Sequence, residues 1–211
     1  MLAVTAGLLV GTAGELAYWQ AWVFVAVYGV HTAAITIDLA RRDPALLERR
    51  VKAGPIAEPT RRQQIIQAFA SLAFIGELVA CGLDRRFGAS QLPVAVVIAG
   101  DVVVVLGLHV VHRVFRANSF TSATIEVARE QPLATTGPYR FVRHPMYSGA
   151  LMMMLGAPLA LGALWGLAVW PCLAAVIVVR LVDEERQLVA GLAGYADYRV
   201  RVRHRLIPWV W

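Results

Sequence analysis

Two short groups of polar residues, each beside a long apolar stretch, carry side chains that could bind a charged ligand. The first group is Arg143–Tyr147, with the sequence Arg-His-Pro-Met-Tyr. Proline favours the first turn of a helix, so the basic pair precedes a helix N-terminus, whose free N–H groups attract an anion. The second group contains Arg180 and Glu184, which lie at i and i+4 on one helix face. A guanidinium there can hold a carboxylate, and a carboxylate there can hold an ammonium or a hydroxyl group.

The composition indicates that these groups belong to a membrane protein. Of the 211 residues, 58% are hydrophobic and 16% are charged, whereas a soluble domain is about one quarter charged. The apolar residues also come in blocks of the length that a helix needs to cross a bilayer, about 20 residues. This pattern excludes a disordered chain, a collagen-like fibre and an ordinary cytosolic globule.

The apolar blocks predict an all-α integral membrane protein with five transmembrane helices. Three spans are expected at Leu16–Leu39, Ile65–Leu83 and Leu92–Phe115. We expect the membrane helices of residues 1–115 to form one part of the protein. Residues 116–211 should form the other part, with a cytoplasmic loop, a hairpin of two spans and a C-terminal tail.

The hairpin and the beginning of the chain need separate interpretations. The stretch Met146–Val182 is long enough for two crossings, and Gly156, Pro158 and Gly162 predict a tight reversal near its middle. Met1–Gly14 is too short for an upright crossing. We interpret it as an interfacial or tilted lead-in, with a sixth span as the alternative.

The distribution of charge predicts the orientation of the spans. Arg41–Arg62 carries seven basic residues against three acidic ones, Arg116–His144 is also basic, and five arginines follow Val182. The positive-inside rule places these three segments in the cytoplasm, which requires an odd number of spans with the N-terminus outside. Within the first segment, Arg42–Pro59 holds three prolines and many charges, and we expect it to be a surface loop.

Several other classes of protein are disfavoured. The net charge of +6 is explained by topology and by anionic lipid headgroups, and without a basic stripe interleaved with aromatic residues we expect no nucleic-acid partner. Cys81 and Cys172 lie in apolar runs without partners at metal-ligand spacing, so we expect neither a disulfide nor a metal site. The chain has no Gly-x-Gly pair, which excludes a dinucleotide-binding fingerprint and a soluble Rossmann-type methyltransferase.

Two acidic residues are expected at mid-depth in the spans. Glu77 and Asp101 could meet across an antiparallel hairpin of the second and third spans. Intramembrane acids are candidates for function. We interpret each one as protonated or as hydrogen-bonded to a neighbouring helix.

The second half of the chain resembles the isoprenylcysteine carboxyl methyltransferase family and its phospholipid methyltransferase relatives. The family pattern is G-x-Y, then R-H-P-x-Y-x-G, then E-E, then a tail with paired tyrosines. Its parts occur here in order at Gly137/Tyr139, Arg143–Gly149, Glu184-Glu185 and Tyr195/Tyr198. The resemblance extends over Thr121–Pro208. In addition, Trp19–Trp22 and Arg41–Pro44 are similar to bacterial members, which implies a bacterial inner membrane.

The resemblance implies that S-adenosylmethionine is the methyl donor, bound in a cytoplasmic pocket formed by the C-terminal half. By family correspondence, the donor would contact Tyr139, His144, Pro145, Met146, Tyr147 and Glu184. Gln131–Ala134 also aligns with a cofactor-contacting segment, which adds Gln131, Leu133 and Ala134. Arg180 matches the position that faces the substrate, so Arg180 and Glu184 are the expected catalytic residues. The acceptor would be a lipid-like molecule that carries a carboxyl group, and no metal is required.

Three alternatives remain open. The acceptor could be a phospholipid amine, in which case Glu184 or Glu185 is a candidate general base. Membrane sterol-type reductases, which use NADPH, also resemble this half, although the extra phosphate of NADPH should demand more basic residues in Arg116–His144 than the chain has. A non-catalytic membrane scaffold would bind neither nucleotide.

Overall fold

The computed structural model describes residues 1–124 and 131–211, and within them all regular secondary structure is helical. Residues 125–130, which belong to the predicted Arg116–His144 segment, lie outside the described residues. The α-helices are α1 (Leu2–Ala13), α2 (Trp19–Arg42), α3 (Pro44–Val51), α4 (Arg61–Phe87), α5 (Val94–Ala117), α6 (Pro145–Ala160), α7 (Leu164–Gly191) and α8 (Tyr195–Arg201). Short 3₁₀ turns occupy Pro55–Ala57 and Gly137–Arg140. The prediction of an all-α membrane protein is confirmed.

Among the described residues, four helices are long and apolar enough to cross a membrane, namely α2, α4, α5 and α7. The predicted span Ile65–Leu83 lies inside α4, which continues for a further turn at each end through Arg61 and Arg86. At 1.5 Å per residue, the 16 residues of α6 cover about 24 Å, which is less than the ~30 Å hydrocarbon core. The fifth crossing therefore stays a prediction.

The described chain divides into two compact units, each built from three segments. The first unit comprises Met1–Ala34, Ser71–Leu108 and Ala150–Ala175. The second unit comprises Ile35–Ala70, His109–Gly149 and Val176–Trp211. Both groups of polar residues with which the sequence analysis began belong to the second unit.

Two glycines in the first unit allow the backbones of α5 and α6 to touch. A Cβ atom on Gly100 would collide with the backbone nitrogen of Ala160, and one on Gly156 would lie 2.8 Å from the carbonyl oxygen of Gly100. Small residues at a helix crossing permit this approach, as is common between membrane helices. The predicted tight reversal occurs at Gly162, whereas Gly156 and Pro158 lie inside α6. The chain turns at residues 161–163, where Gly162 has a φ of 69°.

Substitution of Gly100 by alanine should destabilise the protein strongly, because the atom that a Cβ would meet is backbone and cannot rotate away. Overpacking of this kind costs about 1–3 kcal/mol. We expect the unfolding temperature of the purified protein in detergent to fall. Gly76→Ala is the matched control, since no atom lies within 4 Å of a Cβ at that helical position. Equal unfolding temperatures for the two variants would contradict the close helix contact.

Buried acidic residues in the first unit have different environments. The Oδ2 atom of Asp84 accepts hydrogen bonds from the backbone N–H of Trp165 (2.9 Å) and from Ser90 (2.8 Å), and thereby satisfies donors at the start of α7. Glu77 is fully buried, and among the described residues neither of its carboxylate oxygens has a hydrogen-bond partner. Glu77 and Asp101 therefore do not hydrogen-bond to each other across α4 and α5.

In the second unit, the segment Arg42–Pro59 is more ordered than the sequence predicted. Asp43 caps α3 by accepting a hydrogen bond from the N–H of Leu46, and Leu46 is buried in a cluster with Leu39 and Phe115. Glu58 is also buried. Apart from Leu46 and Glu58, the segment lies at the surface as predicted, but residues 44–51 form a two-turn helix rather than a loop.

Candidate active site

The loop before α6 pairs with the C-terminal segment of the chain. As predicted, α6 begins at Pro145. The N–H of Arg143 donates to the carbonyl of His204 (2.9 Å), and the N–H of His144 donates to the carbonyl of Arg205 (3.0 Å). These two hydrogen bonds fix the backbone of the Arg-His-Pro sequence at the helix start.

The side chain of Arg143 reinforces this pairing from inside the protein. It is buried, and its Nη1 atom donates to the carbonyls of Val202 and Arg203, both at 2.9 Å. Its Nε atom lies 2.7 Å from Glu185 Oε1, while Glu185 Oε2 accepts from Arg205 Nε at 2.9 Å. Two guanidinium groups thus stabilise the ionised form of Glu185, which makes it a poor candidate for a general base.

His144 lies in a buried environment next to the paired tyrosines. Its side chain is 3% exposed, and its Nε2 atom lies 3.4 Å from the hydroxyl of Tyr195. Burial lowers the pKa of His144 below its ordinary value, so the imidazole is neutral at neutral pH. The rings of Tyr195 and Tyr198 contact each other, and the hydroxyl of Tyr198 donates to the carbonyl of Tyr139 at 2.7 Å.

Tyr147, in the first turn of α6, lies next to both His144 and Glu184. The hydroxyl of Tyr147 donates to Glu184 Oε2 at 2.5 Å. The rings of Tyr147 and His144 lie 6.1 Å apart between centroids. Met146, in the same turn, is partly buried and packs against the cluster of Leu39, Leu46 and Phe115. The structure therefore brings together three predicted cofactor residues from two separate sequence motifs.

Arg180 is held by protein groups on several sides. It is buried, and its strongest partner is Glu58, whose Oε1 atom lies 2.6 Å from Nη2. Its other acceptors are Gln63 Oε1 (3.2 Å), the hydroxyl of Tyr147 (3.2 Å) and the carbonyl of Ala123 (3.1 Å). Gln63 in turn donates to Asp183 on α7. Sequence reasoning missed Glu58 and Gln63, since neither belongs to a recognisable motif.

Two of the remaining predicted residues, Leu133 and Tyr139, contact the tyrosines of α8. Leu133 packs against Leu192, Tyr195 and Tyr198, and Gln131 and Ala134 are half-buried on the same segment. The hydroxyl of Tyr139 accepts a hydrogen bond from Asn118 at 3.2 Å, and burial raises the pKa of Tyr139 above its ordinary value.

The carboxylate of Glu184 could accept hydrogen bonds from a ligand with hydroxyl and ammonium groups. Glu58 and Glu185 are both paired with arginines. By contrast, Glu184 takes part in no ion pair among residues 1–124 and 131–211, and its carboxylate is half-buried beside Tyr147. No group of three potential metal ligands occurs in that part of the chain. A partly accessible carboxylate, a neutral imidazole and phenol rings fit an adenosyl amino-acid cofactor.

Part of the chain is similar to a known protein family. The family model for phospholipid methyltransferase matches residues 95–192. The matched segment covers less than half of the 211 residues. The match includes every predicted site residue of the second half, although the tyrosines of α8 lie outside it. No curated protein matches the chain. The chain thus combines four helices that are long and apolar enough to cross a membrane with a segment that is similar to phospholipid methyltransferases.

Proposed function

We propose that this protein transfers the methyl group of S-adenosylmethionine to a lipid-like acceptor. The observation that carries the proposal is the half-buried Glu184 carboxylate, hydrogen-bonded to Tyr147 beside the neutral His144. The cofactor would be held by Gln131, Leu133, Ala134, Tyr139, His144, Pro145, Met146, Tyr147 and Glu184. When bound, S-adenosylmethionine supplies a sulfonium methyl group that is already activated for transfer.

The protein's own residues then have two tasks. They must hold the methyl donor and the acceptor in line, because correct orientation in advance lowers the entropic cost of the reaction. They must also exclude water from the reacting groups. The buried His144 and the tyrosine cluster of α8 would exclude water from one side of the site. The Glu184 carboxylate would accept hydrogen bonds from hydroxyl or ammonium groups of the ligand.

The first-choice acceptor is a carboxyl group, which Arg180 would orient. A carboxylate is already ionised at neutral pH and needs no general base. The 2.6 Å pair with Glu58 supports this choice, since Arg180 already holds a carboxylate in its present conformation. The acceptor carboxylate would exchange with Glu58 at the guanidinium.

An amine acceptor is the second candidate, and the same ion pair can favour it. If Glu58 stays in place, it neutralises Arg180 and leaves Glu184 as the available anion near Tyr147. An ammonium group would be attracted there and would have to lose a proton before attack, with Glu184 as the base. The family whose model matches residues 95–192 is named for phospholipid substrates.

Replacing Glu58 with glutamine should separate the two acceptor classes. For a carboxyl acceptor the change removes a competing charge, and we expect kcat/KM with an S-prenylated cysteine to rise severalfold. For an amine acceptor it exposes an unpaired guanidinium, and kcat/KM with an ethanolamine phospholipid should fall. Glu48→Gln is the control, because Glu48 forms an exposed pair with Lys52. A lower kcat/KM for the carboxyl acceptor would contradict our first choice.

The chemical class of the product can be determined even while the acceptor molecule is unidentified. Purified protein is incubated with methyl-labelled S-adenosylmethionine and a bacterial lipid extract, and the labelled lipids are treated with base. Methyl esters release labelled methanol, whereas methylamines retain the label. If the wild type labels no more lipid than the Glu184→Gln variant does, the proposed activity is wrong.

For localisation we propose a bacterial inner membrane with the site facing the cytoplasm. The support is the charge pattern: the second unit contains Arg41–Arg62, Arg116–His144 and the tail after Val182. These are the segments that the positive-inside rule assigns to the cytoplasm.

A further inference from the structure

A polar cavity lies in the second unit, where the 3₁₀ turn Gly137–Arg140 meets the segment after α8. Its volume is about 210 Å³. Four of its lining residues are basic or imidazole side chains and two are aromatic: Arg140, Arg201, Arg203, His204, Phe141 and Trp209. We call it the basic cavity. None of its lining residues is among those that contact Arg180 or Glu184 in the candidate active site.

The charged side chains that line the basic cavity are positive. Among residues 1–124 and 131–211, no acidic residue lines it. Arg140, Arg201 and Arg203 are exposed, and none of them joins an ion pair within residues 1–124 and 131–211. The neighbouring Arg143 and Arg205 differ from these three arginines, since both form ion pairs with Glu185. Several guanidinium groups around one cavity match the oxygens of a phosphate group, because each can donate two parallel hydrogen bonds.

An apolar rim borders the basic cavity. Trp209 is 86% exposed and has a φ of 62°, the one positive value at a non-glycine residue in the described chain. A compact turn imposes this conformation, because the N–H groups of Leu206 and Ile207 both donate to the carbonyl of Trp211. Ile207 and Val210 in the same turn are also exposed. A bulky residue adopts this conformation only at an energetic cost, and such strain is concentrated at functional sites.

We propose that the basic cavity binds the phosphate group of an anionic phospholipid, while the Trp209 turn enters the membrane interface. Arginines beside exposed tryptophan and aliphatic side chains are the combination that recognises an anionic lipid surface. The apolar rim argues for a lipid rather than a free anion, because a soluble phosphate would leave Trp209, Ile207 and Val210 in water. This lipid is separate from the methyl acceptor, so the proposal does not depend on the reaction.

The test uses the full chain purified in detergent and measures lipid binding by native mass spectrometry. The probes are phosphatidylglycerol, phosphatidylcholine, glycerol phosphate and inorganic phosphate. We expect phosphatidylglycerol to bind most tightly and the Arg140→Gln/Arg203→Gln variant to bind it at least tenfold more weakly. Arg199→Gln is the matched control, since Arg199 is exposed on α8 but does not line the cavity. S-adenosylhomocysteine affinity should be unchanged in both variants.

Single variants and the soluble phosphate probes provide two further tests of the basic cavity. If the double variant does not fold, the single variants Arg201→Gln and Trp209→Gly replace it, and each should weaken phosphatidylglycerol binding severalfold. Equal phosphatidylglycerol affinity in the folded variants and the wild type would overturn the site. Inorganic phosphate or glycerol phosphate binding as tightly as phosphatidylglycerol would overturn its assignment to a lipid.

Discussion

The Glu184→Gln variant should bind S-adenosylhomocysteine about 10- to 100-fold more weakly than the wild type. Glutamine has nearly the same shape, so the change removes the negative charge and one strong acceptor without leaving a cavity. A hydrogen bond to a charged group contributes about 1.5–3 kcal/mol, which corresponds to this range of affinity. The carboxylate is half-buried and hydrogen-bonded to Tyr147, so solvent screens it only in part. Isothermal titration calorimetry on the detergent-purified protein measures the effect.

Two matched variants define what this result means. Glu48→Gln removes an exposed carboxylate paired with Lys52, and it should leave the affinity unchanged. Tyr147→Phe removes the hydroxyl that binds Glu184 while keeping the ring, and it should weaken binding less than Glu184→Gln. If Glu184→Gln binds S-adenosylhomocysteine as tightly as the wild type, the cofactor pocket lies elsewhere.

The Arg180→Met variant should lose at least 100-fold in turnover while its cofactor affinity changes by less than threefold. Arg180 is proposed to orient the acceptor, and its contacts run to Glu58, Gln63 and Tyr147. The substitution also leaves Glu58 buried without its cation. Removing one partner of a buried pair costs about 3–5 kcal/mol, so the unfolding temperature should fall as well. Steady-state kinetics with labelled donor and calorimetry with S-adenosylhomocysteine separate the two effects.

A double variant tests whether Arg180 acts on the substrate or only supports the fold. Glu58→Gln/Arg180→Met removes both charges of the buried pair, so no carboxylate is left facing the missing guanidinium and stability should largely return. Turnover should stay low, because no guanidinium is left to hold the acceptor. Recovery of turnover in the double variant would assign Arg180 a purely structural role. Equal losses of turnover and cofactor affinity in Arg180→Met would also contradict the proposed division of roles.

The sequence was sufficient to predict features that depend on local chemistry. Long apolar blocks define α2, α4, α5 and α7, because the hydrocarbon core requires about 20 apolar residues per helix. Pro145 marks the start of α6, since proline suits the first helical turn. The short Arg-His-Pro-Met-Tyr motif and the acidic pair on α7 could be recognised because each is contiguous in the chain.

Features that depend on long-range contacts could not be predicted. Glu58 pairs with Arg180 across 122 positions of sequence, and nothing about a proline-rich segment indicates a buried carboxylate. Gly156, Pro158 and Gly162 together predict a reversal, but Gly162 lies in the turn while the other two lie inside α6, although both residue types usually interrupt helices. In α6 the glycine is instead required by the close approach of Gly100, and proline is tolerated inside membrane helices when neighbouring groups satisfy the freed carbonyls.

Equilibrium binding of S-adenosylhomocysteine and of NADPH to the purified protein distinguishes a methyltransferase site from a reductase site. We expect saturable binding of S-adenosylhomocysteine that is weakened in Glu184→Gln and His144→Ala, with NADPH binding at least 100-fold more weakly. Tight binding of NADPH without binding of S-adenosylhomocysteine would contradict this expectation, and the site around His144, Tyr147 and Glu184 would then serve a reductase.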